Sequence, residues 1–131
     1  MKGPILGILC GLVMILAAAC AQEPADISLP SPRTSGGMPL RDALAQRQST
    51  RSFSPAELSP QTLSDLLWAA AGINRPDAGK RTAPSARNWQ EVSVYVVTAQ
   101  GAYRYDAQAN LLRAEVAADL RAATGKQSFV G

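Results

Sequence analysis

Arg47-Gln48-Ser49-Thr50-Arg51-Ser52-Phe53 is the stretch from which the rest of the chain is read. In an extended backbone, side chains at alternate positions point the same way. Arg47, Ser49 and Arg51 then present two guanidinium forks and a hydroxyl on one side. That trio suits a phosphate, since each arginine offers charge-assisted, often bidentate hydrogen bonds and serine adds a neutral donor. A helix would bring together only the two arginines. The bland alternative is a solvated helix end whose cations lie near the negative pole of the dipole. Downstream, Pro84-Ser85-Ala86-Arg87-Asn88-Trp89-Gln90 sets further polar side chains in a loop just before a strand. For Ser85 and Asn88 the alternative is ordinary turn chemistry.

On the N-terminal side of the opening stretch, Pro39 fits a first helical turn and Leu40, Ala43 and Leu44 share one face. This helix should end near residues 46–48. Beyond the turn at Ser54-Pro55 comes a second helix. Ser59 is its N-cap, Pro60 its first residue, and Leu58 can staple against Leu63. Leu63, Leu66, Leu67 and Ala70 form its apolar stripe, and Gly72 fits the position just past its last turn. Residues 74–90 read as a long loop carrying Arg75, Lys80, Arg81 and Arg87; of these, Arg81 and Arg87 read as surface charge. Residues 92–98 are β-branched and apolar almost throughout, as in a strand buried on both faces. Residues 102–106 alternate like a half-exposed partner strand, and residues 115–124 read as a helix ending at Gly125. Two strands rarely make an independent sheet. The chain is therefore expected to complete its sheet with further sequence or with a partner.

Residues 1–21 read as an address: Lys2 gives a positive start, and an apolar run ends in small residues. Two processing routes stay open. Cleavage after Ala21 would leave Gln22 first; alternatively Leu16-Ala17-Ala18-Ala19-Cys20 resembles a bacterial lipoprotein signal, with Cys20 lipidated. Either route implies export, to the periplasm or to a membrane-anchored state, with membrane contact only if Cys20 carries lipid. Residues 22–37 are rich in Pro, Ser, Gly and Asp and read as a linker, a tether or an extended arm, with simple disorder the favoured reading for the first half. The folded domain is expected over residues 38–131.

Composition excludes several functions. Both cysteines, Cys10 and Cys20, fall in or beside the address, so the remaining body has no intramolecular disulfide. The chain has no histidine, which removes the imidazole base of a serine or cysteine hydrolase and makes a zinc or haem site unexpected. The formal charge of +3 is dispersed and aromatics are few, a poor basis for nucleic-acid binding.

Three segments in order carry a resemblance: residues 47–53, then Leu66-Leu67-Trp68-Ala69-Ala70-Ala71-Gly72-Ile73-Asn74, then Thr82-Ala83-Pro84-Ser85-Ala86-Arg87-Asn88-Trp89-Gln90. Over residues 29–131 the chain resembles the FMN-dependent nitroreductases, within them the branch containing dehydrogenases that oxidise thiazolines and oxazolines in peptides. The resemblance implies an α+β fold, a mixed sheet flanked by helices, of which this chain is the N-terminal part, incomplete at the C-terminus. It implies a homodimer with FMN at the subunit interface, a small-molecule substrate and a reduced nicotinamide as candidate donor. Arg47 and Ser49 would hold the FMN phosphate, and Arg51 would reach the ribityl chain or the pyrimidine edge. Pro84, Ser85 and Asn88 would line the flavin, with Gln90 supporting their loop. No side chain is assigned as catalytic acid or base, because the cofactor carries the hydride chemistry. A non-catalytic exported lipoprotein or binding module keeping part of the fold is the alternative.

Overall fold

A computed structural model describes residues 24–124. The address, Cys20, the helix end at Gly125 and the last seven residues lie outside the described part. In chain order the elements are β1 (Ile27–Ser28), α1 (Leu40–Gln46), α2 (Pro60–Ala71), β2 (Ile73–Arg75), β3 (Lys80–Arg81), β4 (Tyr95–Val97), β5 (Ala102–Asp106) and β6 (Leu111–Val116). Short 3₁₀ turns occupy Pro76–Ala78, Ala86–Asn88 and Arg121–Ala123.

α2 forms where its capping chemistry dictates. Ser59 Oγ accepts a hydrogen bond from the Thr62 amide at 3.1 Å, and Pro60 stands in the first turn, where its missing N–H is not needed. The helix ends at Gly72, whose amide donates to Trp68 O at 2.7 Å. Gly72 is extended there (φ −69, ψ 161) rather than left-handed. What requires glycine is proximity: a Cβ would run into the Trp68 ring and lie 2.6 Å from the Trp68 carbonyl oxygen. The buried face of α2 is Ser64, Leu67 and Ala71, one position round from the expected stripe, so Leu66 stays 56 % exposed. Ser64 is tolerated in the core because its hydroxyl donates to Pro30 O at 2.6 Å.

The main sheet has four strands in the order β1-β6-β5-β4, and β2 pairs with β3 in a separate ribbon. Every described pairing is antiparallel. Tyr103 and Tyr105 on β5 stand opposite Ala114 and Leu112 on β6. With Leu67 they build the core, flanked by Leu29, Leu63, Val94 and Val96. The other face of the same strands is ionic. Arg104 lies directly across from Arg113, a like-charge pairing that would repel. Each has its own carboxylate: Arg104 binds Glu115 at 2.8 Å, and Arg113 binds Asp106 at 2.9 Å and Asp26 at 3.1 Å.

Several expectations for local structure are corrected. Residues 111–116 are a strand where a helix was expected from residue 115, because the 107–110 turn folds them back along β5. Asp106 Oδ1 accepts the amides of Gln108 and Ala109, and Asn110 takes φ 49. The strand expected over residues 92–98 is only three residues long and lies at the sheet edge, with Tyr95 57 % and Val92 78 % exposed. The expected long loop contains the β2–β3 ribbon, closed by Gly79 at φ 58. In the segment read as tether or arm, residues 26–33 dock as an arm. β1 pairs with β6, Asn110 Nδ2 donates to Pro30 O, and Arg33 binds Asp65.

Candidate functional site

The β2–β3 ribbon and the loop after it enclose the clefts that could hold a ligand. Thr82 ties the loop to the end of α2, its amide donating to Gly72 O at 2.9 Å and its hydroxyl to Trp68 O at 3.2 Å. From there the chain turns sharply. Arg87, Asn88 and Gln90 all have positive φ, near 53–56°, a region costly for residues with a Cβ. Their hydrogen bonds hold the turn. Ser85 Oγ accepts the Gln90 amide at 2.7 Å, while Gln90 Nε2 donates to Gly79 O at 2.7 Å and to Asn88 Oδ1 at 3.0 Å. Gln90 thus clamps the loop to the ribbon. The Ser85 hydroxyl proton and the Asn88 amide protons are left free to donate to a ligand.

Two adjoining clefts share the wall formed by Arg81, Ala83, Pro84 and Ser85. One, of about 200 Å³, is closed by Ala70 and Ala71 of α2 and by Val92 and Val94, and is mainly apolar. The other, of about 390 Å³, is lined by Arg75, Lys80, Arg87 and Asn88. The first falls below the ~300 Å³ at which small-molecule pockets usually begin, so it fits part of a cofactor: a flat ring edge between alanines and valines. Tyr105, beneath the ribbon, has its phenol pushed above the ordinary value, first by burial.

Of the predicted residues, Pro84, Ser85, Asn88 and Gln90 line these two clefts. Arg47, Ser49 and Arg51 lie after α1 in an exposed segment outside helix and sheet, with Arg47 extended (φ −62, ψ 122). They line no described cleft and form no ion pair with a described carboxylate. Within one chain the two motifs are therefore not joined. Arg81, read from the sequence as surface charge, is instead partly buried, and its Nε is a buried donor with no partner among the described residues. The turn-forming Pro76-Asp77-Ala78-Gly79 between basic residues was the available signal: it folds Arg75 back beside Lys80 and Arg81.

A family model described as the nitroreductase family matches residues 44–129. A protein of Methanocaldococcus jannaschii, named as a nitroreductase, is 31 % identical over 101 residues, covering 70 % of this chain and 50 % of that protein. A crystal structure from Ralstonia eutropha, also named as a nitroreductase, superposes with a TM-score of 0.75 at 47 % identity. It aligns with 84 % of this chain and 52 % of its own. The chain spans about half the length of both relatives.

Proposed function

The chain belongs to the nitroreductase family, and we propose that it acts as an FMN-dependent oxidoreductase, passing hydride from a reduced nicotinamide to an organic acceptor. The observation that carries this is the strained, internally clamped loop at residues 85–90, whose serine borders the apolar slot and whose asparagine borders the adjoining cleft, each with donor protons unspent among the described residues. When bound, the flavin supplies the hydride chemistry. Pro84, Ser85 and Asn88 would orient its ring, Gln90 would hold the loop, and Arg47, Ser49 and Arg51 would bind the phosphate and ribityl chain. The two motifs share no cleft in one chain, so a homodimer is part of the proposal, with the arginine segment of one protomer facing the loop of its partner. The uncovered Leu40, Leu44 and Phe53, which are 62–82 % exposed, support such an interface. Within the family, the proposed placement is the branch that contains the thiazoline- and oxazoline-oxidising dehydrogenases, without carrying over their reaction, in which hydride would run from substrate to flavin. Export, by cleavage after Ala21 or with Cys20 lipidated, completes the proposal; the intact mass of the exported protein distinguishes the two routes.

The direct test of function titrates the full chain with FMN and follows quenching of flavin fluorescence, then adds a reduced nicotinamide anaerobically and watches the flavin bleach. Saturable quenching, weakened at least tenfold by Arg47→Ala and by Asn88→Ala, is expected. Unquenched flavin at all protein concentrations would overturn the assignment.

A further inference from the structure

The larger cleft has an ionic imbalance that the flavin assignment does not use. Arg75, Lys80, Arg81 and Arg87 line it together with Ser85 and Asn88, and no carboxylate lines it. Glu91 borders only the neighbouring slot, and none of the four cations is ion-paired with a described carboxylate. Arg75 is fixed in place, its Nη2 donating to Arg81 O at 2.9 Å and its Nε to Asn74 Oδ1 at 3.1 Å. Arg87 lies over the Trp89 ring at 5.8 Å, and the left-handed backbone at Arg87 sets where its side chain leaves the loop. Arg81 Nε is shut away from water without an acceptor. Burying a guanidinium donor unpaired is costly, more so beside like charges, unless an anion completes the site. Among the described residues no carboxylate supplies that anion.

We propose that this cleft is an anion subsite for the phosphate groups of the reduced nicotinamide that delivers hydride to the flavin. The inference rests on the flavin assignment above in one respect: Ser85 and Asn88, placed there against the ring, form one wall of the cationic cleft. An anion held at that wall belongs to a molecule approaching the ring, and the flavin's own phosphate is already allotted to Arg47 and Ser49. Three guanidinium forks favour phosphoryl oxygens, which they can bind bidentately. The exposed Lys80 and Arg87 add attraction that salt will screen.

The test uses the full chain and two flavin-free probes, inorganic pyrophosphate and adenosine 2′,5′-bisphosphate, by isothermal titration. Expected is saturable, salt-sensitive binding in which each probe displaces the other. The paired Lys80→Gln and Arg87→Gln changes should weaken it at least fivefold while the FMN dissociation constant moves less than twofold. Arg81→Gln, at a residue that also borders the flavin slot, should weaken probe binding at least fivefold with no such limit on FMN. Arg81→Lys should recover only part of the loss. Should Arg81→Gln fail to fold, the exposed pair carries the test alone. Absence of binding, equal binding by the variants, or tighter binding of malonate than of either phosphate probe would overturn the proposal. So would a parallel loss of FMN affinity in the paired variant, which would hand the cleft to the flavin phosphate. A chain that binds the probes but never FMN would sink the assignment of the bound molecule as hydride donor while leaving the probe titration as a separate record of the flavin assignment's failure.

Discussion

Residues 33–60 and the layer formed by α2 with β5 and β6 contain comparable apolar side chains, yet the two treat them oppositely. Every residue from 33 to 60 is exposed, including Leu44 at 62 % and Phe53 at 82 %, whereas Leu67 and Leu112 are sealed at 3 % and 1 %. Hydrophobicity therefore does not separate the regions; having a surface to pack against does. α2 and the sheet provide one another with such a surface. α1 buries none of its residues, so its amphipathic face is uncovered by the described residues. The phosphate-type motif lies in the unpartnered region, while the ring-type motif sits on a loop tied to the end of α2 through Thr82, and no described cleft is lined by both.

The sharpest way to break this contrast is to delete the same atoms in both regions. Leu112→Ala should cost about 2–5 kcal/mol of unfolding free energy, as truncations in closed cores do, read from the urea midpoint at unchanged slope. In dilute protein Leu44→Ala should change stability by less than ~0.5 kcal/mol, as at exposed positions generally. At high concentration its effect should appear as weakened self-association by sedimentation. Equal destabilisation by the two changes in dilute solution would erase the distinction between the regions.

A second probe lies at the end of α2. Gly72→Ala places a methyl group against the Trp68 ring and carbonyl, and Trp68 is held by its Nε1 hydrogen bond to Ile73 O at 3.3 Å. The strain should cost about 1–3 kcal/mol, typical of overpacking. It should also blue- or red-shift the Trp68 emission, which a merely propensity-driven loss would leave alone. Ser59→Ala, at the seam between the two regions, removes the α2 cap and should cost ~1 kcal/mol.

How much was legible follows the same division. α2 was readable to the residue at its start, because the Ser59-Pro60 pair is a local device whose meaning needs no tertiary context. Its buried face was displaced because the docked arm presents Pro30 O, and only that acceptor makes Ser64 a core residue. Nothing near Ser64 announces an acceptor 34 residues away. Only the end of β6, Glu115 and Val116, reads from the sequence as the start of a helix, for a related reason: local preferences conflict there, and pairing with β5 decides. The α+β class and the family were legible from motif order. Ser85, Asn88 and Gln90 could be located on one loop, whereas the partial burial of Arg81 depends on the ribbon that the turn at residues 76–79 closes, a signal that is legible only once Arg75 and Lys80 are paired.

The smallest effect expected tests the boundary between the two regions, where the arm joins the packed layer through Asp65. Its carboxylate accepts the Arg33 amide at 2.7 Å, the Arg33 Nε at 2.8 Å and Gln61 Nε2 at 2.9 Å. These bonds, the Arg33 backbone N–H foremost, hold its pKa below the ordinary 3.8. Asp106, which turns β5 into β6, is lowered too, first by the Ala109 amide. A carboxylate lowered in the folded state stabilises that state fully above its unfolded value, and the contribution fades as pH falls through the folded one. Amide exchange at Ile27, Arg33 and Ala114 should accordingly speed up as pH drops below about 4, after correction for intrinsic rates. Amides of Tyr103 and Tyr105 should keep their protection to lower pH, because their side chains pack with Leu67 and Leu112, and the neighbouring acid, Asp106, directs its carboxylate to the turn amides of Gln108 and Ala109. Asp65→Asn should move the Arg33 response to neutral pH without shifting that of Tyr105. If both sets of amides lose protection together, the arm is part of the cooperative core, and the line between the regions must be drawn after Arg33 rather than at the edge of the sheet.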